Sequence, residues 1–96
     1  MLKNKILYSN FQPTDGFQLY ADSLICNLLN LAPSDASGFS SFKKSGSRYM
    51  CKIEIVSTAR RFEALIEALN PKSALEEARR RIMRQLVKWR HDRFGS

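Results

Sequence analysis

Ninety-six residues, 44% of them apolar, suit one small folded domain and exclude a disordered chain or a pair of domains. The longest apolar runs, such as LICNLL, are far too short to cross a bilayer. The net charge of +7 is unevenly spread: residues 78–96 hold seven basic and one acidic side chain, residues 1–77 nine and eight. That imbalance points to nucleic acid, an anionic surface or an acidic protein as partner.

The N-terminal MLKNKILYSNF has no long apolar stretch and no small-residue cleavage site. It reads as the start of the fold rather than a secretion signal, so a cytoplasmic location is expected. Within it KILYSNF, residues 5–11, is rich in β-formers and predicts a strand. QPTDG breaks the chain, and Thr14 or Asp15 can cap a helix behind it. From Phe17 to about Ala32 the apolar positions Phe17, Tyr20, Ala21, Leu24, Leu28 and Leu31 keep helical spacing, with Gln18, Asp22, Ser23, Asn27 and Asn30 on the other side. Pro33 ends that helix.

After the loop APSDASG, GFSSFKKS predicts a strand and Gly46 a turn. RYMCKIEIVST alternates: Tyr49, Cys51, Ile53 and Ile55 against Met50, Lys52, Glu54 and Val56, the pattern of a strand with one buried face. RRFEALIEALN is ambiguous. Its Ala, Leu and Glu favour helix, while Phe62, Ala64, Ile66 and Ala68 alternate as in a strand. The next helix has its own start signals, Asn70 before Pro71 and Ser73 three residues before Glu76, so the preceding segment is a separate element and is read as a strand.

The last helix is expected from Pro71 or Ser73 to about Arg90. Leu75, Ala78, Ile82, Leu86 and Trp89 form its apolar stripe. Arg80, Arg84 and Lys88 lie opposite, flanked by Arg81 and His91. Glu76 and Glu77 are assigned to the first turn, favourable for the helix dipole. Arg79 falls near the stripe and is expected to snorkel past its edge. Arg93 would also fall on the apolar side, so packing is expected to stop after Trp89, with a frayed basic C-terminus from about residue 91. The order is βαβββα. A single domain over 1–96 follows, of the α+β class: a four-stranded sheet with both helices packed on one face.

Catalytic constellations are missing. His91 is the lone histidine, no carboxylate pair sits in an apolar setting, and the four glycines are scattered. Cys26 and Cys51 have no metal-ligand spacing and are expected to be reduced, buried apolar side chains. No enzyme activity, metal or cofactor is expected. Binding is better supported. Arg80, Arg84 and Lys88 recur about every 6 Å along one side of a helix, comparable to the phosphate spacing of a nucleic-acid strand. Lys43, Lys44 and Arg48 bracket one sheet turn, and Arg60 and Arg61 sit at the next. Trp89 and Tyr49 are assigned to the core, while Tyr8 or Phe42 could stack on a base. An exposed edge strand such as Lys43–Ser45 would let two copies pair.

Two stretches resemble the ribosome hibernation-promoting factors, also called ribosome-associated inhibitors. YADSL, residues 20–24, resembles the middle of the family's first helix, with Ser23 where the family has a basic residue. ARRRIMRQLVKW, residues 78–89, resembles the second helix and its Lys-Leu-x-Arg-Gln-Leu-x-Lys pattern, with Arg81, Ile82, Arg84, Gln85, Leu86 and Lys88 in those places. The resemblance implies a fold related to double-stranded RNA-binding domains, with two parallel helices on one face of the sheet. It implies binding to small-subunit ribosomal RNA in the channel used by messenger and transfer RNA, blocking initiation in idle ribosomes. Arg81, Arg84 and Lys88 would contact phosphates. Lys and Arg are common on the outside of the family's first helix, and residues 17–32 hold none. A second reading therefore stays open: a family-shaped module whose basic helix docks an acidic protein and does not bind ribosomes. A membrane partner is not expected, because the apolar stripe is needed for the core.

Overall fold

In the computed structural model, which describes residues 3–94, the chain forms β1 (Lys3–Ser9), α1 (Asp15–Leu31), β2 (Ser37–Ser45), β3 (Arg48–Val56), β4 (Arg61–Ala68) and α2 (Pro71–Phe94). The strands make one sheet in the order β1-β2-β3-β4. β1 runs parallel to β2, from Lys3↔Ser37 to Ser9↔Lys43, because α1 carries the chain back across the sheet between them. β2–β3 and β3–β4 are antiparallel. Both helices pack on the same face and touch each other.

Local chemistry sets the element boundaries. Thr14 caps α1, its Oγ1 accepting the Phe17 N–H at 3.1 Å, and Asp15 lies in the first turn, where the helix dipole favours it. Ala32, directly before Pro33, is extended and closes the helix. Gly46 takes φ 61° in the β2–β3 turn, a conformation that costs glycine nothing. Gly38 is needed for a different reason. A side chain there would meet Leu29 and the Asn4 Oδ1 at 3.3 Å, so its lack of one lets α1 lie close on β2.

The ambiguous segment is a strand. Phe62, Ala64 and Ile66 are buried at alternate positions and Glu63, Leu65 and Glu67 are exposed, while the whole segment pairs with β3. Non-local pairing overrides the helix preference of its Ala, Leu and Glu. Asn70 then caps α2, its Oδ1 accepting the Ser73 N–H at 2.8 Å, with Pro71 opening the helix.

The Asn70 cap moves the helix start forward and corrects the first-turn assignment of Glu76 and Glu77, since no acidic residue lies in that turn. The helix also runs four residues past the expected end, through Phe94, and His91 and Asp92 on that added turn are exposed.

The core lies between sheet and helices. Ile25 and Leu28 of α1 and Leu75, Ile82 and Leu86 of α2 close over Phe42, Ile53, Ile55 and Phe62. Burial of each such side chain stabilises the fold by roughly 1.5–3 kcal/mol. Cys51 is part of this layer, and burial pushes its thiol up to about 12, whereas Cys26 is only half-buried. Phe42 is fully buried, with the Tyr8 ring stacked on it at 5.3 Å, so the expectation that Phe42 could receive a base is corrected. The Lys43–Ser45 edge is corrected at Lys43, which pairs with β1 on one side and β3 on the other because the α1 crossover adds β1 beside β2; Lys44 and Ser45 extend past the last β1 pair and pair with β3 alone.

The sheet edges are β1 and β4, and β4 is guarded. Gln85 of α2 accepts the Glu63 N–H at 3.1 Å through Oε1 and donates to the Glu63 carbonyl at 2.8 Å through Nε2. The side-chain amide stands in for a fifth strand at that point and blocks pairing there. Replacing Gln85 with Leu should keep the packing volume but strand both Glu63 groups. The expected loss is about 1–3 kcal/mol in urea unfolding, with faster amide exchange at Glu63. An unchanged unfolding midpoint would mean the clamp contributes nothing.

Candidate functional site

α2 carries its cations on the side turned away from the sheet. The buried stripe of Leu75, Ala78, Ile82 and Leu86 fixes the rotation of the helix, and Trp89 extends it by packing edge-on against Phe62 at 6.1 Å. Arg79, Arg80, Arg81, Arg84, Lys88, Arg90 and His91 are all exposed in consequence. Glu77 is the acidic partner at the start of this row. It pairs with Arg80, and its Oε2 lies 3.8 Å from the Arg81 Nε. Arg79, Arg84, Lys88 and Arg90 make no ion pair among the described residues.

Arg79, close to the apolar stripe and expected to snorkel past its edge, is exposed on the outer surface. It stands where α1 and α2 meet, beside Tyr20, Ser23 and Asn27. With Met83, Arg84, Val87, Lys88 and His91 it also lines a shallow groove of about 470 Å³ along α2. Val87, 58% exposed, gives the floor of that groove an apolar character. The line Arg79, Met83, Val87 has a spacing of four, a signal the sequence carried but that the stronger apolar stripe masked. The helices are tied together nearby: the Tyr20 hydroxyl donates to the Glu76 Oε2 at 3.0 Å, which raises the pKa of that phenol.

The remaining candidate cations are dispersed. Arg60 and Arg61 lie at the β3–β4 turn, the end of the sheet reached by the C-terminal half of α2. Lys43, Lys44 and Arg48 lie at the opposite end, where β3 begins and β4 finishes. The molecule measures 44 Å along its longest axis, so these two groups and the α2 row do not form one compact patch. Several are also neutralised locally. Arg61 pairs with Glu54 and, at 3.0 Å, with Glu63; Arg48 lies 3.8 Å from Glu67. Lys44 sits over the Tyr49 ring at 5.7 Å and Arg60 over Phe62 at 5.8 Å. Lys43 is exposed and has no acidic partner among the described residues.

α1 contributes no positive charge. Leu19, Ser23, Asn27 and Asn30 are exposed on it, and its last turn has no basic residue. A cleft of about 360 Å³ opens at the end of the domain between the α1 C-terminus, the β3–β4 turn and α2. Trp89 and Arg90 form one wall, and Asp35 and Thr58 the other. Among the described residues, no group of three or more His, Cys, Asp or Glu could hold a metal ion, and no helix is long and apolar enough to cross a membrane.

No family model matches this chain, and no curated protein sequence does. Solved structures do match. The N-terminal domain of Protein Y from Thermus thermophilus superposes with a TM-score of 0.78 at 15% identity, over 92% of this chain and 99% of that one. A ribosomal subunit interface protein from Coxiella burnetii superposes with a TM-score of 0.77 at 10% identity, over 93% and 98%. At these identities the likeness is one of fold.

The cleft offers a direct check of the local geometry. Asp35 accepts from the Thr58 hydroxyl at 2.7 Å and from its N–H at 2.9 Å, and these bonds hold its carboxyl below the usual range. A lowered carboxyl contributes stability that is present above its unfolded value and lost as pH falls through its folded value. An NMR titration should find Asp35 ionising at lower pH than an ordinary aspartate, and Thr58→Ala should move it upward. An Asp35 that titrates normally in both proteins would rule the contact out.

Proposed function

We propose that this domain is a non-enzymatic, cytoplasmic translation regulator that binds small-subunit ribosomal RNA through the outer face of α2 and holds ribosomes idle. The observation that carries this reading is the line of exposed cations on a rigid helix, Arg84 and Lys88 with Arg79 beside them, without acidic partners among the described residues, whereas Arg48, Lys52 and Arg61 on the sheet are ion-paired. Unpaired arginine is costly to no one in water, but it is available: its planar donors match two phosphate oxygens at once. Fold likeness to a ribosomal subunit interface protein supports the same reading, as does the resemblance of residues 78–89 to the hibernation factors.

Contacts would be to phosphates rather than to bases. Phe42 is buried and Tyr8 stacks on it, so neither offers a free ring. Arg80 and Arg81 would join the surface by exchanging Glu77 for phosphate, at a smaller net gain than Arg84 or Lys88. The basic turns, Lys43, Lys44 and Arg48 at one end and Arg60 and Arg61 at the other, would act as outlying contacts on an extended RNA surface. One observation favours a second reading. The exposed Val87 beside Met83 adds an apolar floor that phosphates do not need, and an acidic amphipathic protein segment would use it.

Co-sedimentation with purified small subunits tests the proposal. Wild-type protein should travel with the subunit at low salt, and each phosphate contact removed should lower the salt slope of binding by about 0.9. Arg84→Glu with Lys88→Glu should abolish binding while the fold persists, and Arg80→Ala should weaken it less. Val87→Ser should leave subunit binding intact. A folded double variant that still co-sediments fully refutes the RNA reading. Loss on Val87→Ser together with a shallow salt slope would favour the acidic-protein reading.

A further inference from the structure

Met83 and Val87 lie among the α2 cations, where phosphates have no use for them. Arg80, Arg84 and Lys88 recur at intervals of four residues, and Arg79, Met83 and Val87 form a neighbouring row with the same spacing. Rows of this kind are the ridges of a helix surface, and the trough between two of them receives the ridge of a second helix. The groove along α2 is such a trough, since both rows line it. The cationic row is exposed throughout. The other row is apolar after Arg79: Val87 is 58% exposed, and Met83 is half-buried and packed against the core.

Shape and charge together name the occupant. From Arg79 to Val87 the trough rises about 12 Å, a little over two helical turns. An apolar ridge laid in it covers Met83 and Val87, and carboxylates on one flank of that ridge reach Arg84 and Lys88. Neither cation has an acidic partner among the described residues. The other flank borders α1, where Ser23 and Asn27 are uncharged and line a depression with Arg79, so acid is needed on one side only. A nucleic-acid strand would bind the cationic row and leave the apolar pair bare. A second copy of this chain would set arginine against arginine, at a net charge of +7 each.

We propose that this trough is the docking site of an acidic amphipathic helix from a partner protein, and that the helix and RNA exclude one another there. The partner carries apolar side chains along one stripe and carboxylates on one adjoining flank. Both ligands draw on Arg84 and Lys88, so binding of the helix frees the domain from RNA. Docking stands apart from the assignment of RNA to α2, whereas the exclusion rests on it. Contact over two turns is small for a specific interface, so the complex is a transient one, governed by the supply of the partner.

The probe is a synthetic peptide of about 18 residues, long enough to hold a helix alone, with leucines along one stripe and glutamates on one flank. Titrated into the full chain, it should shift the NMR amide signals of Met83, Arg84 and Val87, with a Kd on the order of 100 µM. A control peptide with alanine for each leucine, equal in charge, should bind about tenfold more weakly. Val87→Ser should weaken the leucine peptide about tenfold as well, and Val87→Leu should keep it. Equal binding of the two peptides, or indifference to Val87→Ser, overturns the docking site. Saturating leucine peptide should also release small subunits from the wild-type protein, and a peptide that binds while subunits stay bound overturns the exclusion. If the wild-type protein binds no subunits, the RNA assignment fails, and the peptide titration still decides the docking site.

Discussion

The seating of α2 on β3 and β4 is the contact on which the rest of the domain depends. Leu75, Ile82 and Leu86 enter the core from one stripe, and Gln85 locks the neighbouring stripe to the Glu63 backbone. Apolar burial supplies most of the energy, and the amide clamp supplies direction, since a bidentate bond tolerates little rotation. A helix fixed in this way presents its opposite side in one orientation only. The basic row is therefore a rigid feature, although each guanidinium is individually mobile.

Electrostatic partnering divides the surface into two regimes. On the sheet, Glu54, Glu63 and Glu67 stand close to Lys52, Arg48 and Arg61, and the field there is largely cancelled. Surface pairs of this kind add little stability, but they remove charge from view of a partner. On α2 the carboxylates run out after Glu77 until Asp92, leaving three turns of positive potential facing solvent. The contrast between these regimes, more than the net charge, is what gives the molecule a functional side.

Legibility in the sequence followed the range of the interaction. Local signals read well: the Thr14 cap, the stop at Pro33, the alternation of Cys51, Ile53 and Ile55, and the inward stripe of α2 all depend on neighbours a few residues away. β4 was readable only through its surroundings, because its own composition favours helix and an independent start signal at Asn70 had to break the tie. The interior place of β2 and the burial of Phe42 were out of reach, since both follow from β1 pairing across a crossover. Gln85 illustrates the same limit at the candidate site. In the sequence it is only one position of a family pattern, and the approach of Glu63 makes it structural. Arg79 was hidden by proximity to an apolar stripe that other residues fill.

The parallel pairing of β1 has a consequence for how the chain folds as it is made. β2, β3 and β4 follow one another through short turns, so each hairpin can close soon after its second strand appears, and α2 follows from β4 directly. β1 is synthesised first, yet its partner begins at Ser37, beyond the whole of α1. Closing that larger loop carries a greater entropic cost than closing either hairpin. β1 thus leaves the peptidyl tunnel ahead of the other elements of this domain and waits longest for a neighbour, with Ile6, Leu7 and Tyr8 unpaired in the meantime. During that interval α1, with its own cap at Thr14, is the structure available to shield them.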